Sequence, residues 1–249
     1  MFSFYPASMR EFDNRTGEQW ALLRRTSPNV KLAIFVHGFY GDYLATWGKI
    51  SDLLRTHADT DTVCTEWDFL FLGYSTSTVE TYLDIAAVIA TQWQRARHGH
   101  APFRHAYDQF ALFGHSLGTL GIRQLLCARE AQPGGHLNDL KAVVLFGTPL
   151  NGSGWAKLAP WNKVADSLKP GNPQLRMLKS WSTGVHDQLA WPPVRIVLGL
   201  DDKVVGASEF TQWTGDASPA DITNFDHSAL VKPAGWPSAV VDYILNALR

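Results

Sequence analysis

A chain of 249 residues, 45% hydrophobic and 18% charged, is long enough for one large α/β domain or two small ones, with apolar residues for a sizeable core. A formal net charge of −1 offers no polyanion-binding surface, which sets nucleic acid aside. No apolar run approaches the roughly 18 residues of a membrane span, and Met1 to Arg10 lacks the basic start and apolar stretch of a secretory signal.

The two cysteines, Cys64 and Cys127, stand far apart and in no metal-ligand spacing. Both read as buried thiols, which suits a reducing compartment and makes a cytoplasmic protein the expectation. Trp20-Ala21-Leu22-Leu23-Arg24-Arg25 reads as an early edge strand, with Thr26-Ser27-Pro28-Asn29 as the turn after it. Lys31-Leu32-Ala33-Ile34-Phe35-Val36 is a compact β-type run, expected as a central strand buried on both faces. The glycine-bearing loop His37-Gly38-Phe39-Tyr40-Gly41-Asp42 follows it. Loops after central strands are where open α/β sheets bind ligands. His37 is expected to brace this loop, while Phe39 matters through its backbone N–H. Trp47, Ile50, Leu53 and Leu54 then fall at helical spacing.

A second strand is predicted over Trp67 to Tyr74 and a helix over 79–97, with Val79, Tyr82, Leu83, Ala86, Ile89, Ala90 and Trp93 along one face. His98, His100 and His105 follow in a polar stretch with no carboxylate at ligand spacing, read as a solvated loop and not a metal site. Phe110-Ala111-Leu112-Phe113 then pinches through Gly114-His115-Ser116-Leu117-Gly118 and opens into a helical pattern. Strand, sharp turn and helix push the Ser116 hydroxyl out above a helix N-terminus, where negative charge is favoured. Gly114 and Gly118 make room for so tight a turn.

Pro133-Gly134-Gly135 is a loop, and Lys141 to Phe146 another buried strand ending at Gly147-Thr148-Pro149. Strands alternating with helices predict a mostly parallel central sheet with helices on both faces. Residues 150–192 break that rhythm with Pro160, Pro170, Pro173 and Pro192 and with Trp155, Trp161, Trp181 and Trp191. They read as a partly helical, cap-like insertion in a single domain spanning 1–249. Either it is a lid over an acyl pocket, or it is a packed excursion of the core. Val194 to Leu200 is the next strand and runs into Asp201-Asp202-Lys203-Val204-Val205. Ala220 to Phe225 is a last strand before Asp226-His227-Ser228, and 236–248 a closing helix.

A serine hydroxyl needs a base within hydrogen-bond reach, and that base an orienting carboxylate. The chain supplies Ser116, then Asp201 or Asp202, then His227, each after a predicted strand at one edge of the sheet. Chain order Ser, Asp, His is that of α/β-hydrolases. His227 is the expected base, and the N–H groups of Phe39 and Leu117 the expected oxyanion donors. Asp226 is a further acid, awkwardly adjacent to the histidine.

Phe35-Val36-His37-Gly38-Phe39 with Thr46-Trp47, the Gly114 to Gly118 elbow, Gly147-Thr148-Pro149, Asp202-Lys203-Val204-Val205 and Asp226 to Pro233 together resemble the α/β-hydrolase superfamily. Within it they resemble the lipase/esterase-type serine hydrolases of the DUF676/SERAC1-like branch. The segments cover roughly residues 31–248 in the right order. The resemblance implies an α/β-hydrolase fold and favours Asp202 as the triad acid. It implies hydrolysis of a carboxylic ester, lipid esters included, through an acyl-enzyme on Ser116. It requires no cofactor or metal. The expected partner is a small-molecule or lipid ester, with no nucleic acid and no integral membrane segment. Open alternatives are a thioesterase or amidase with the same triad, or a slow-turnover binding module on this fold.

Overall fold

The apolar runs pair into one eight-stranded sheet. The computed structural model describes residues 2–6, 18–25, 28–130, 137–154, 156, 161–184, 194–205 and 221–249. In chain order the strands are β1 (Phe2–Pro6), β2 (Gln19–Arg25), β3 (Lys31–Val36), β4 (Trp67–Gly73), β5 (Gln109–His115), β6 (Leu140–Phe146), β7 (Val194–Gly199) and β8 (Asp221–Thr223). Their order across the sheet is β1-β2-β4-β3-β5-β6-β7-β8. The run from β4 to β8 is parallel, and β1 and β2 join it antiparallel.

The helices are α1 (Ile50–Thr56), α2 (Thr62–Glu66), α3 (Tyr82–Arg97), α4 (Leu117–Glu130), α5 (Lys163–Ser167), α6 (Pro173–Gly184) and α7 (Ala239–Leu248). Alternation along each strand sorts the side chains between two faces. Leu32, Ile34 and Val36 of β3 join Ile85 and Ile89 of α3, Leu120 and Leu125 of α4, and Leu175 and Leu178 of α6. Ala33 and Phe35 face the other way, among Trp47, Ile50 and Leu54, Val63 of α2, and Val240, Ile244 and Leu248 of α7. Phe35 stacks between Phe71 and Phe113 at centroid distances of 4.9 and 4.7 Å. Truncating such a ring to alanine costs about 3–5 kcal/mol. The 31–36 run is therefore the central strand its composition predicts.

Some expectations change. β2 is not an edge strand: β1 pairs with its outer side, and Ala21, Leu22 and Leu23 are buried between the two layers. Cys64 is buried as expected, whereas Cys127 is only partly buried on α4. The helix predicted from 79 starts at Tyr82, because Thr81 caps it. Its hydroxyl accepts from Leu83 N–H, and Asp84 accepts from the Thr81 N–H. Of the 150–192 insertion, α5 and α6 are helical, and α6 adds Leu175 and Leu178 to the core. Trp155, Pro160, Trp191, Pro192, the Pro133 loop and Thr26-Ser27 lie outside the described residues.

The topology decides where a site can form. From β3 the chain moves outward to β4, then returns across β3 to β5. The loops leaving β3 and β5 diverge at that switch point and open a crevice at the carboxyl ends of the strands.

Candidate active site

Ser116 follows the last residue of β5 and precedes the first of α4, with φ at 51°. A side-chain-bearing residue held in the left-handed region costs on the order of 1–3 kcal/mol. The surroundings impose it. Ser116 N–H donates to Phe146 O of β6 at 2.9 Å. Its carbonyl accepts from the N–H and the hydroxyl of Thr119, at 3.0 and 2.6 Å. The turn closes because residue 118 is glycine: a Cβ there would stand 2.4 Å from His37 O and 2.6 Å from Val36 O. Ser116 thus projects from the elbow at the crevice mouth.

His227 arrives from beyond β8, and Asp202 from beyond β7. His227 Nδ1–H donates to Asp202 Oδ2 at 2.7 Å. Asp202 Oδ1 accepts the N–H groups of Val204 and Val205 at 2.8 and 3.0 Å. Burial alone would raise the Asp202 pKa. The His227 hydrogen bond and charge, with the two backbone donors, outweigh it and hold the carboxyl below its ordinary value. A carboxylate fixed on Nδ1 leaves Nε2 as the bare ring nitrogen, the form a general base needs. Asp201 is exposed, and Asp226 Oδ1 is taken by the N–H groups of Ser228 and Ala229 at 2.9 and 2.8 Å.

Ser116 and His227 line one pocket of ≈ 280 Å³, with Gly38, Phe39 and Tyr40 of the β3 loop, Asp42, Thr46 and Lys232. Among the described residues Ser116 Oγ makes no hydrogen bond, so Ser116 and His227 share the pocket without being hydrogen-bonded. Catalytic hydrogen bonds are often this loose before substrate arrives. The Phe39 and Leu117 N–H groups donate to no protein acceptor among the described residues, so both are available.

No protein-family model matches the sequence, and neither does any curated protein. Solved structures do. Lipase BlEst2 from Bacillus licheniformis in its mature form superposes over 91% of this chain and 97% of its own, with a TM-score of 0.59 at 16% identity. Carboxylesterase CesB (YbfK) from Bacillus subtilis matches over 100% of this chain and 92% of its own, at 0.56 and 13% identity. The fold is that of the α/β-hydrolases. Phospholipase PlaB from Legionella pneumophila shares it at 0.52 and 18% identity, over 68% of this chain. The chain spans only 37% of the PlaB length.

On this α/β-hydrolase frame His37 braces the loop after β3, as expected. Its Nδ1–H donates to Gly38 O at 2.7 Å, and Nε2 accepts the Tyr74 N–H at 3.1 Å. The imidazole stacks on the Tyr74 ring at 4.3 Å, and burial lowers its pKa, so a neutral ring fills both roles. Of the three loop histidines, His105 donates Nε2–H to Asn29 O at 2.6 Å, and no group of three or more His, Cys, Asp or Glu side chains converges among the described residues. No helix among the described residues is long and apolar enough to cross a membrane.

One residue of the site escaped sequence reasoning. His115, beside the serine, is buried and donates Nε2–H to the backbone carbonyl of His227 at 2.9 Å, the rings 4.6 Å apart. Burial first, then the neighbouring His227, lowers its pKa to about 3. A polar residue ending an otherwise apolar strand was the available signal.

Proposed function

We propose that this chain is a serine hydrolase that cleaves carboxylic esters through an acyl-enzyme on Ser116. The observation that carries the reading is the Asp202–His227 pair facing, across one pocket, a serine forced outward on a strained elbow. His227 Nε2 takes the Ser116 proton as Oγ attacks the ester carbon. The Phe39 and Leu117 N–H groups receive the developing oxyanion. On collapse, His227 returns the proton to the departing alcohol, and Asp202 holds the imidazolium that forms between the two transfers. Water then repeats the sequence and releases the acid. Structural likeness to a lipase, a carboxylesterase and a phospholipase supports ester chemistry. The motif resemblance to the DUF676/SERAC1-like branch, and the EC 3.1.1 type of activity, belong to this proposal.

The test is hydrolysis of a p-nitrophenyl ester series from acetyl to palmitoyl, with fluorophosphonate labelling alongside. Ser116→Ala is expected to remove turnover and labelling while the fold persists. Asp202→Asn is expected to lower kcat by roughly 10⁴, and Asp201→Asn to leave it nearly unchanged. Turnover retained by Ser116→Ala overturns the assignment. Labelling without ester turnover moves the substrate to thioesters or amides.

A further inference from the structure

The pocket around Ser116 is electrically lopsided. Apart from His227, its charged lining residues are Asp42 and Lys232. Asp42 is turned to its own loop: Oδ1 accepts the N–H groups of Leu44 and Ala45 at 2.8 and 2.7 Å, and its N–H donates to Thr46 Oγ1. Lys232 has no ion-pair partner among the described residues.

Lys232 is exposed, but the base of its side chain is held. Leu230 and Val231 before it are buried in the core, and its N–H donates to Ala229 O at 3.3 Å. Its stem lies against Gly48, where a Cβ would come within 3.3 Å of Lys232 Cβ and Cγ. Lys49, next along, donates its ammonium to Ala234 O at 3.5 Å.

The chemistry fixes which half of the substrate Lys232 meets. His227 must protonate the leaving oxygen, so the alcohol departs on the His227 side. Lys232 belongs to the segment that follows His227. We propose that Lys232 forms an anion subsite on the leaving-group side, so that the preferred ester is one whose alcohol carries a phosphate or carboxylate. This rests on the ester-hydrolase reading above.

The experiment compares butyryl esters that differ only in the alcohol: glycerol (neutral), glycerol 3-phosphate, 3-hydroxypropionate (carboxylate) and choline (cationic). Butyrate release is measured for wild type, Lys232→Met, Lys232→Glu and Asp42→Asn. Wild type is expected to favour an anionic ester over the glycerol ester by about tenfold in kcat/KM, the scale of one charge-assisted contact. The preference should shrink as salt is raised. The two anionic esters separate phosphate from carboxylate recognition. Lys232→Met should erase the preference, Lys232→Glu turn it toward choline, and Asp42→Asn enlarge it.

An anionic-to-neutral ratio equal in wild type and Lys232→Met overturns the subsite while ester hydrolysis stands. If wild type hydrolyses none of the four, the ester reading fails instead. Saturation-transfer NMR with glycerol 3-phosphate then decides the subsite. Binding by wild type that Lys232→Met loses upholds it, and equal or absent binding in both removes it.

Discussion

His115 joins the two halves of the site. It sits beside the serine yet hydrogen-bonds the backbone of His227, which ties the elbow to the loop after β8. A protonated ring there would stand 4.6 Å from the imidazolium that the proposed mechanism forms on His227, and burial keeps it neutral instead. His115→Phe leaves the His227 carbonyl without its donor, at a cost of about 1–3 kcal/mol. Because that carbonyl belongs to the base itself, kcat should fall about ten- to a hundredfold with KM little changed. His115→Gln, which carries an N–H donor at similar reach, should recover most of it. Steady-state kinetics on a p-nitrophenyl ester, with melting temperatures alongside, distinguishes this from a purely structural role, in which Tm falls and kcat stays. At this scale Ser116 and His227 were legible as candidates, since each stands just past a predicted strand. Asp202 was not separable from Asp201 by strand position alone. What distinguishes them is the hydrogen bond from His227 Nδ1–H to Asp202 Oδ2 across 25 residues of chain, and that is a tertiary fact.

At the scale of elements, the elbow works because α4 begins almost in contact with the end of β3. Gly118 is the point of closest approach, and a methyl there overlaps two carbonyl oxygens of the 36–37 segment. Backbone cannot swing aside as a flexible side chain can. Gly118→Ala is therefore expected to destabilise the protein by about 1–3 kcal/mol or to shift α4. Either result lowers activity, because α4 carries the Leu117 N–H. Gly154→Ala, with nothing within 4 Å of the added carbon, is the matched control and should leave the urea midpoint nearly unchanged. Strands β3, β5 and β6 were readable as unbroken apolar runs, because a parallel strand is covered on both faces. The misplacement of β2 has a different origin. It is read as an edge, yet β1 covers it through backbone pairing that leaves no periodic mark. The five-residue α2 is set by the Asp61 side chain accepting from Val63 and Cys64 N–H, a cap too local for any periodicity to reveal.

Across the whole molecule, buried ionisable groups couple stability to pH with opposite signs. His37 and His115 have folded pKa values below the ordinary 6.5. The unfolded chain therefore binds more protons than the folded one below about pH 6.5, and stability is lost as pH falls through that window. Each such group contributes at most about 1.4 kcal/mol per pH unit. Asp68, at the start of β4, runs the other way. It is buried, accepts the Tyr107 hydroxyl at 2.7 Å, the Asn29 amide at 3.1 Å and the Arg25 N–H at 3.2 Å, and burial raises its pKa above 3.8. The folded state then takes up its proton before the unfolded state does, so Asp68 offsets part of the histidine loss during acidification. Denaturant unfolding at pH 7 and pH 4.5 should show wild type less stable at the lower pH. His115→Gln should lose less stability between the two values than wild type, having one fewer histidine to protonate on unfolding. Asp68→Asn should lose more, because its compensating uptake is gone. A smaller loss in Asp68→Asn than in wild type would mean that this carboxyl stays ionised in the fold. The three hydrogen bonds that converge on it would then outweigh its burial.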